Sequence, residues 1–212
     1  MSTTPLPAEF HWSTHGPANG ISGEGLASRL ITLVSSSKEV RKICDLGCGN
    51  GYLSGRLASL GYQVTGVDTS KSGIEIAGRN HPNVSFVKTL IDLRLESIIG
   101  ANFDLVISSD VIEHLYRPAD LLEAARSLLK PDGLLIVGTP YHGYMKNVVL
   151  ALTGKMDAHF SALHDGGHIK FFSVKTLSEL HRAYGFTNLQ FTFYGRAPML
   201  WKNMICLSRK RD

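Results

Sequence analysis

Two groups of residues in this 212-residue chain have the types and spacing to do chemistry. The first runs Asp45-Leu46-Gly47-Cys48-Gly49-Asn50-Gly51 and is followed by Asp68 at the end of the next apolar run. Glycines at 47, 49 and 51 let backbone approach a ligand with no Cβ intervening. A carboxylate about 20 residues beyond such a loop is placed to accept hydrogen bonds from a ribose diol. Asp45, just before the loop, would repel a pyrophosphate and attract a cation. Tyr52 holds the place where a dinucleotide-binding G-x-G-x-x-G string has its third small residue. The pattern asks for a nucleoside that carries positive charge. Glycines that merely make a turn would leave the coincidence of Asp45, the loop and Asp68 to chance.

The second group is Ser109-Asp110-Val111-Ile112-Glu113-His114. If it is helical, Asp110, Glu113 and His114 share one face. Two carboxylates and an imidazole there could hold a divalent cation or face a reacting group. The blander reading is a helix start with Asp110 near the dipole; it is preferred, and no metal ligand is assigned. Four further histidines, His142, His159, His164 and His168, fall within residues 140–172. Their spacings match no common zinc pattern.

The elements that must position these groups follow from periodicity. Ile43-Cys44 and Tyr62 to Val67 read as strands, and Leu53, Leu57 and Leu60 mark the helix between them. That strand, turn, helix, strand unit belongs to open parallel α/β sheets, whose ligands lie outside the carboxyl ends of the strands. A helix over 24–36 carries Leu26, Leu30 and Leu33 on one face, and Ser70 can cap a helix running to Asn80. Further strands are expected at 84–88, 103–108, 134–139, 186–194 and 201–208, with helices at 118–130 and 173–184 and a turn at Pro131-Asp132-Gly133. Met145, Val148, Val149, Leu152 and Met156 recur at helical spacing, with Lys146, Asn147 and Lys155 on other faces. That amphipathic helix either packs against the domain or forms a lid that receives an apolar acceptor or touches a membrane. The segment Phe10 to Gly20 either packs on the surface or flaps over the substrate mouth.

At this point the sequence resembles the class I S-adenosylmethionine-dependent methyltransferases, in layout the ubiquinone-biosynthesis-type O-methyltransferases. The resemblance rests on DLGCGNG, VTGVD, FDLVISSDVIEHL and LLKPDGLLIVGTP, and it covers the chain from about Lys42 onward. It implies a doubly wound, Rossmann-like seven-stranded sheet with the last strand antiparallel and a lid insertion, 140–172, after the fifth strand. Residues 1–40 are then an N-terminal segment and helix, and 41–212 the catalytic domain. It implies S-adenosylmethionine as cofactor, held by Arg29, Asp45, Gly47, Cys48, Gly49, Asp68, Thr69, Leu90, Ile91 and Ser109. Thr89-Leu90 stands where the family has a Gly-Asp pair near the adenine, so backbone near Leu90 and Ile91 is expected to replace that carboxylate, Asp92 coming two residues later. The implied reaction is methylation of a small, partly apolar metabolite, on a phenol or quinol-like hydroxyl. The candidate bases are His114, His142 and His168, in that order, with Asp110 beside the acceptor. Methylation on nitrogen, sulfur or carbon, an NAD-dependent oxidoreductase, an RNA methyltransferase and a silent nucleoside-binding subunit are the alternatives.

Composition narrows the field. Net charge is +4 and the only dense basic run is Arg209-Lys210-Arg211, so nucleic acid is not an expected partner. Three cysteines without a C-x-x-C pair argue against a disulfide framework and suit a reducing cytoplasm. Apolar runs are too short to span a bilayer; membrane contact, if any, is peripheral and through 141–160.

Overall fold

The computed structural model describes residues 10–12, 16, 17, 21–37, 39–160, 163 and 166–211. A first helix, α1 (Ile21–Ser35), is followed by β1 (Lys42–Leu46), α2 (Tyr52–Ser59), β2 (Gln63–Asp68), α3 (Lys71–Asn80) and β3 (Ser85–Lys88). The second half contains α4 (Leu95–Ile99), β4 (Phe103–Ser109), a 3-10 turn at Ile112–His114, α5 (Ala119–Leu128) and β5 (Leu129–Pro140). Then come α6 (Tyr144–Leu152), α7 (Met156–Phe160), α8 (Val174–Ala183), β6 (Phe186–Tyr194) and β7 (Asn203–Lys210).

The seven strands order as β3-β2-β1-β4-β5-β7-β6. β1 to β5 pair in parallel, and β7 runs antiparallel to both of its neighbours. The order reverses at β1 and β4, which opens a crevice at their carboxyl ends. β4 is buried along almost its whole length, as a continuous apolar run in a central parallel strand requires.

Each face of the sheet is covered by its own core. On one face α1 lays Leu26, Leu30 and Val34 against Ile43, Leu105 and Ile136. On the other, Leu121, Leu122, Ala125 and Leu177 pack on Cys44, Val106 and Val137. Helix ends follow the side chains expected to make them. The Ser70 hydroxyl accepts the Gly73 N–H at 3.1 Å, and Ser173 with Thr176 closes a reciprocal capping box on α8.

Three features depart from the sequence reading. The Pro131-Asp132-Gly133 turn lies inside β5, as an irregularity where the β4 register slips between Phe103 and Leu105 and Asp132 takes a φ of 59°. α4 was not anticipated, because five residues are too few to show a helical period. The apolar stripe of the insertion faces the wrong way for packing: in α6 the buried residues are Lys146 and Leu150, while Tyr144, Met145, Val149 and Leu152 are exposed. Among the described residues no helix is long and apolar enough to cross a membrane.

Candidate active site

The glycine loop joins β1 to α2 at the crevice. The N–H groups of Gly47 and Cys48 both reach the Val67 carbonyl, at 2.7 and 3.0 Å, and the Gly51 N–H reaches the Cys48 carbonyl at 2.9 Å. The Gly49 N–H donates to Asp68 Oδ2 at 2.8 Å, and the Ser70 N–H donates to Asp68 Oδ1 at 2.7 Å. A phosphate cradle aims such donors at the ligand; here they are engaged internally and a carboxylate sits among them. Gly47 and Gly49 have φ of 80° and 54°, and a Cβ on Gly49 would lie 2.3 Å from the Trp12 indole. The Trp12 backbone N–H donates to Ser72 Oγ at 3.0 Å, and the Phe10 carbonyl accepts the Ser70 hydroxyl at 2.7 Å. Phe10 and Trp12 thus pack against the loop and the start of α3. His15 lies outside the described residues.

Asp45 and Asp68 play different parts. Asp45 is 2% exposed and accepts the Ser54 hydroxyl at 2.6 Å, so it is enclosed beneath α2 and does not open directly into the crevice as expected. Burial pushes its carboxyl up to about 7, with Ser54 pulling down and Asp68 pushing up. Asp68 is half-buried at the tip of β2, with exposed Thr69 beside it. The Thr89 N–H reaches the Asp68 carbonyl at 3.0 Å, which sets Leu90 and Ile91 next to that tip. Asp92 is bound to Arg94 at 2.6 Å. Ser109 ends β4 opposite Gly138, where a Cβ would meet its hydroxyl at 3.2 Å.

Two members of the expected cofactor set make side-chain contacts of their own. Arg29 lays its guanidinium over the Tyr194 ring, 5.4 Å from the centroid, on β6. Helical periodicity found α1 but not the strand its arginine would cross. The Cys48 thiol packs below the loop against Gly66, so only the Cys48 backbone belongs to the loop surface.

The second group is not a helical face. Asp110 takes a φ of 55°, and only Ile112–His114 form a turn of 3-10 helix. Glu113 consequently points inward, 1% exposed, and its Oε2 accepts the Thr139 hydroxyl at 3.0 Å. Burial raises both the Asp110 and Glu113 carboxyls, and the nearby Asp110 raises Glu113 further. Their Oδ1 and Oε1 atoms are buried without a hydrogen-bond partner. His114 is exposed, with Nδ1 2.9 Å from the Gly166 carbonyl. A carbonyl oxygen only accepts, so Nδ1 is the donor in that contact. The end of the insertion returns to this point. The Ile169 and Lys170 N–H groups both donate to the Glu113 carbonyl at 2.9 Å, and His168 lies 3.9 Å from Glu113 Oε1. Ligand atoms of Glu113, His114 and His168 all fall within 4.8 Å of one another. His168 therefore stands in this trio where the sequence suggested Asp110.

The same segment holds His142, whose N–H donates to the Phe172 carbonyl at 2.9 Å. Its ring is buried against His159, Phe160 and Phe171 at centroid distances of 5.3, 5.8 and 5.0 Å. Burial lowers His142 to about 4, with Lys146 and His159 adding to the effect. His142 is thus enclosed among rings, whereas His114 is exposed. His164 and Asp165 lie outside the described residues. The residues that sequence reasoning missed are Ser54, Thr139 and Trp12 as partners, since nothing in a linear pattern pairs them with Asp45, Glu113 and Gly49.

The sheet order, the antiparallel β7 and a carboxylate beside a glycine loop define a class I methyltransferase domain of the S-adenosylmethionine-dependent kind. Residues 22–191 match the family described as methyltransferase domain, and the chain belongs to it. The ubiquinone biosynthesis O-methyltransferase of Roseobacter denitrificans is 34% identical over 167 residues, 76% of this chain and 65% of that one. That of Glaesserella parasuis is 33% identical over 106 residues, 47% of this chain and 45% of the relative. A malonyl-[acyl-carrier protein] O-methyltransferase of Halalkalibacterium halodurans is 34% identical over 125 residues, 54% of this chain and 46% of that one. The chain's match spans about half the length of most of these curated relatives. Among solved structures, a SAM-dependent methyltransferase from Archaeoglobus fulgidus superposes with a TM-score of 0.67 at 18% identity, over 88% of this chain and 94% of that one. Magnesium protoporphyrin IX methyltransferase from Synechocystis, with bound SAH, gives 0.66 at 19% identity, over 90% and 84%. These two likenesses concern the fold.

Proposed function

We propose that this domain transfers the methyl group of S-adenosylmethionine to a phenol or quinol-like hydroxyl on a small, partly apolar molecule. The cofactor supplies an electrophilic methyl carbon when bound. The protein holds the acceptor oxygen in line and excludes water, a positioning effect worth on the order of 7 kcal/mol or more in favourable cases. His114, with Nδ1 committed to Gly166, accepts the hydroxyl proton at Nε2. Asp68 and Thr69 take the ribose end, and Leu90 and Ile91 flank the adenine.

The observation that carries this reading is the polar trio Glu113–His114–His168 together with the aromatic cluster of His142, Phe160 and Phe171, whose His142 is near enough to feel the charge of His168. A proton acceptor near an aromatic cluster suits an aromatic alcohol. The names of the relatives agree with oxygen as the acceptor atom. The test is methyl transfer from labelled S-adenosylmethionine to catechols and quinols, with aniline and thiophenol counterparts, read by mass spectrometry. An O-methyl ether is expected. Products on nitrogen or sulfur alone, or no product while S-adenosylhomocysteine binds, would discard the proposal. Tight binding of NAD without S-adenosylhomocysteine would favour an oxidoreductase.

A second reading has its own observation. The Glu113–His114–His168 trio fits a divalent cation, since Glu113 Oε1 is buried without a hydrogen bond and the Gly166 contact fixes His114 as a metal-ligating imidazole commonly is. There the cation would lower the acceptor's pKa. Activity lost on chelation and restored by added magnesium or zinc supports it. The exposed Tyr144, Val149 and Leu152 also fit peripheral membrane contact through 141–160, which vesicle flotation would test.

A further inference from the structure

We infer that the methyl acceptor carries an acidic group, a carboxylate or a phosphate, and that Lys146 of the insertion receives it in a cationic pocket. This rests on the methyl-transfer reading above. The starting point is the inverted helix α6, which exposes its apolar stripe and buries a lysine 97% out of solvent, at 3% exposure. Lys146 Nζ donates to the Tyr141 carbonyl at 2.7 Å. An ammonium has three donors, and among the described residues no carboxylate forms an ion pair with Lys146.

The surroundings add positive charge. Arg196 and Lys202 are near enough to press the Lys146 ammonium down, after burial, to about 8. Lys146 and Arg196 in turn hold His159 down, again after burial, and Lys146 does the same to His142. Burying a cation among cations is costly unless an anion joins them. Beside them the Lys202 carbonyl accepts the Tyr141 N–H at 2.9 Å, which holds that residue next to the Lys146 anchor. An anionic ligand oxygen matches the remaining donors of the Lys146 ammonium.

Distance along the strand says which end of the acceptor it meets. Ser109 pairs with Gly138 at the level of the crevice, and Tyr141 follows three residues later. At the rise of a strand that is roughly 10 Å, the length of a substituted aromatic ring. Lys146 therefore meets the far end of the acceptor, and the reacting oxygen stays near His114. Tyr141 is fixed at that far end. Its carbonyl anchors Lys146, and its ring packs edge-on against Phe193 and Trp201 at 5.6 and 5.5 Å.

The test uses matched compounds on protein saturated with S-adenosylhomocysteine. Calorimetry compares 4-hydroxyphenylacetate, 2-(4-hydroxyphenyl)ethyl phosphate and the uncharged 4-hydroxyphenylacetamide. One or both acids should bind about 10- to 100-fold tighter than the amide, as a charged hydrogen-bonded pair warrants; which acid wins separates carboxylate from phosphate. K146M should bring acid and amide together, and K146R should keep most of the preference. A lysine that only pins Tyr141 would lower all three affinities alike, so a preference that survives K146M overturns the inference, as does a wild type with no preference. If circular dichroism shows K146M unfolded, R196Q decides: a preference reduced roughly threefold or more supports the pocket, and an unchanged one overturns it. Methyl transfer is followed in parallel. Amide methylated without any acid preference sinks this inference alone; no phenol methylated sinks the earlier reading while calorimetry still decides the pocket.

Discussion

Replacing Asp68 by alanine is the sharpest perturbation of the cofactor site. Its two oxygens brace the loop through the Gly49 and Ser70 N–H groups, at 2.8 and 2.7 Å. A ribose diol adds two hydrogen bonds to the same carboxylate. Hydrogen bonds to a charged group contribute about 1.5–3 kcal/mol each, and part of that replaces contacts with water. A net loss of about 3 kcal/mol, or roughly 150-fold in affinity, is the expected result. D68N keeps the shape and one acceptor oxygen, so it should fall between. Calorimetry with S-adenosylhomocysteine measures the loss, and its 2′,3′-dideoxy analogue separates ribose contacts from loop bracing. Wild type should distinguish the two ligands strongly, and D68A should treat them nearly alike. Thermal melts check that D68A remains folded. An affinity within about threefold of wild type would refute the assignment of Asp68 to the ribose.

Three further outcomes are expected. Asp45 has a folded pKa near 7 against an ordinary value of 3.8, with burial the main cause. Its protonated form is favoured by folding, so its contribution is full below about pH 4 and is lost as pH rises through about 7. Urea melts of the unliganded protein should show this loss, up to about 4 kcal/mol, and D45N should flatten it. T139V strips the Glu113 carboxyl of its hydroxyl donor and should cost about 1–3 kcal/mol of stability by denaturant titration. H114A should slow methyl transfer by about 10²-fold or more, and H142A by much less, which stopped assays on one acceptor will show.

The supersecondary unit from β1 to β2 was readable because apolar runs, glycines and terminal acids all occur in one short stretch. The observed bounds differ from the expected ones by a residue or two, and Ser70 caps α3 as read. What escaped was whatever depends on direction in space. Periodicity identified the stripe on α6 but could not say on which side the core lies. It suggested a helical face for Asp110, Glu113 and His114, and a left-handed residue at Asp110 broke the spacing. Arg29 was placed by analogy, and the aromatic ring that holds it comes from Tyr194, far along the chain. Asp45 was expected to open on the ligand, and a hydroxyl on the following helix encloses it.

The closed hydrogen-bonding of the glycine loop bears on how this domain could change in evolution. Its amides already have partners in Val67, Asp68 and Cys48, so trading Asp45 or Tyr52 for a small neutral residue would not free a donor for pyrophosphate. Cofactor choice is written into the main chain of β2 as much as into any side chain. The segment after β5 shares none of these loop hydrogen bonds, so its sequence can change without touching them.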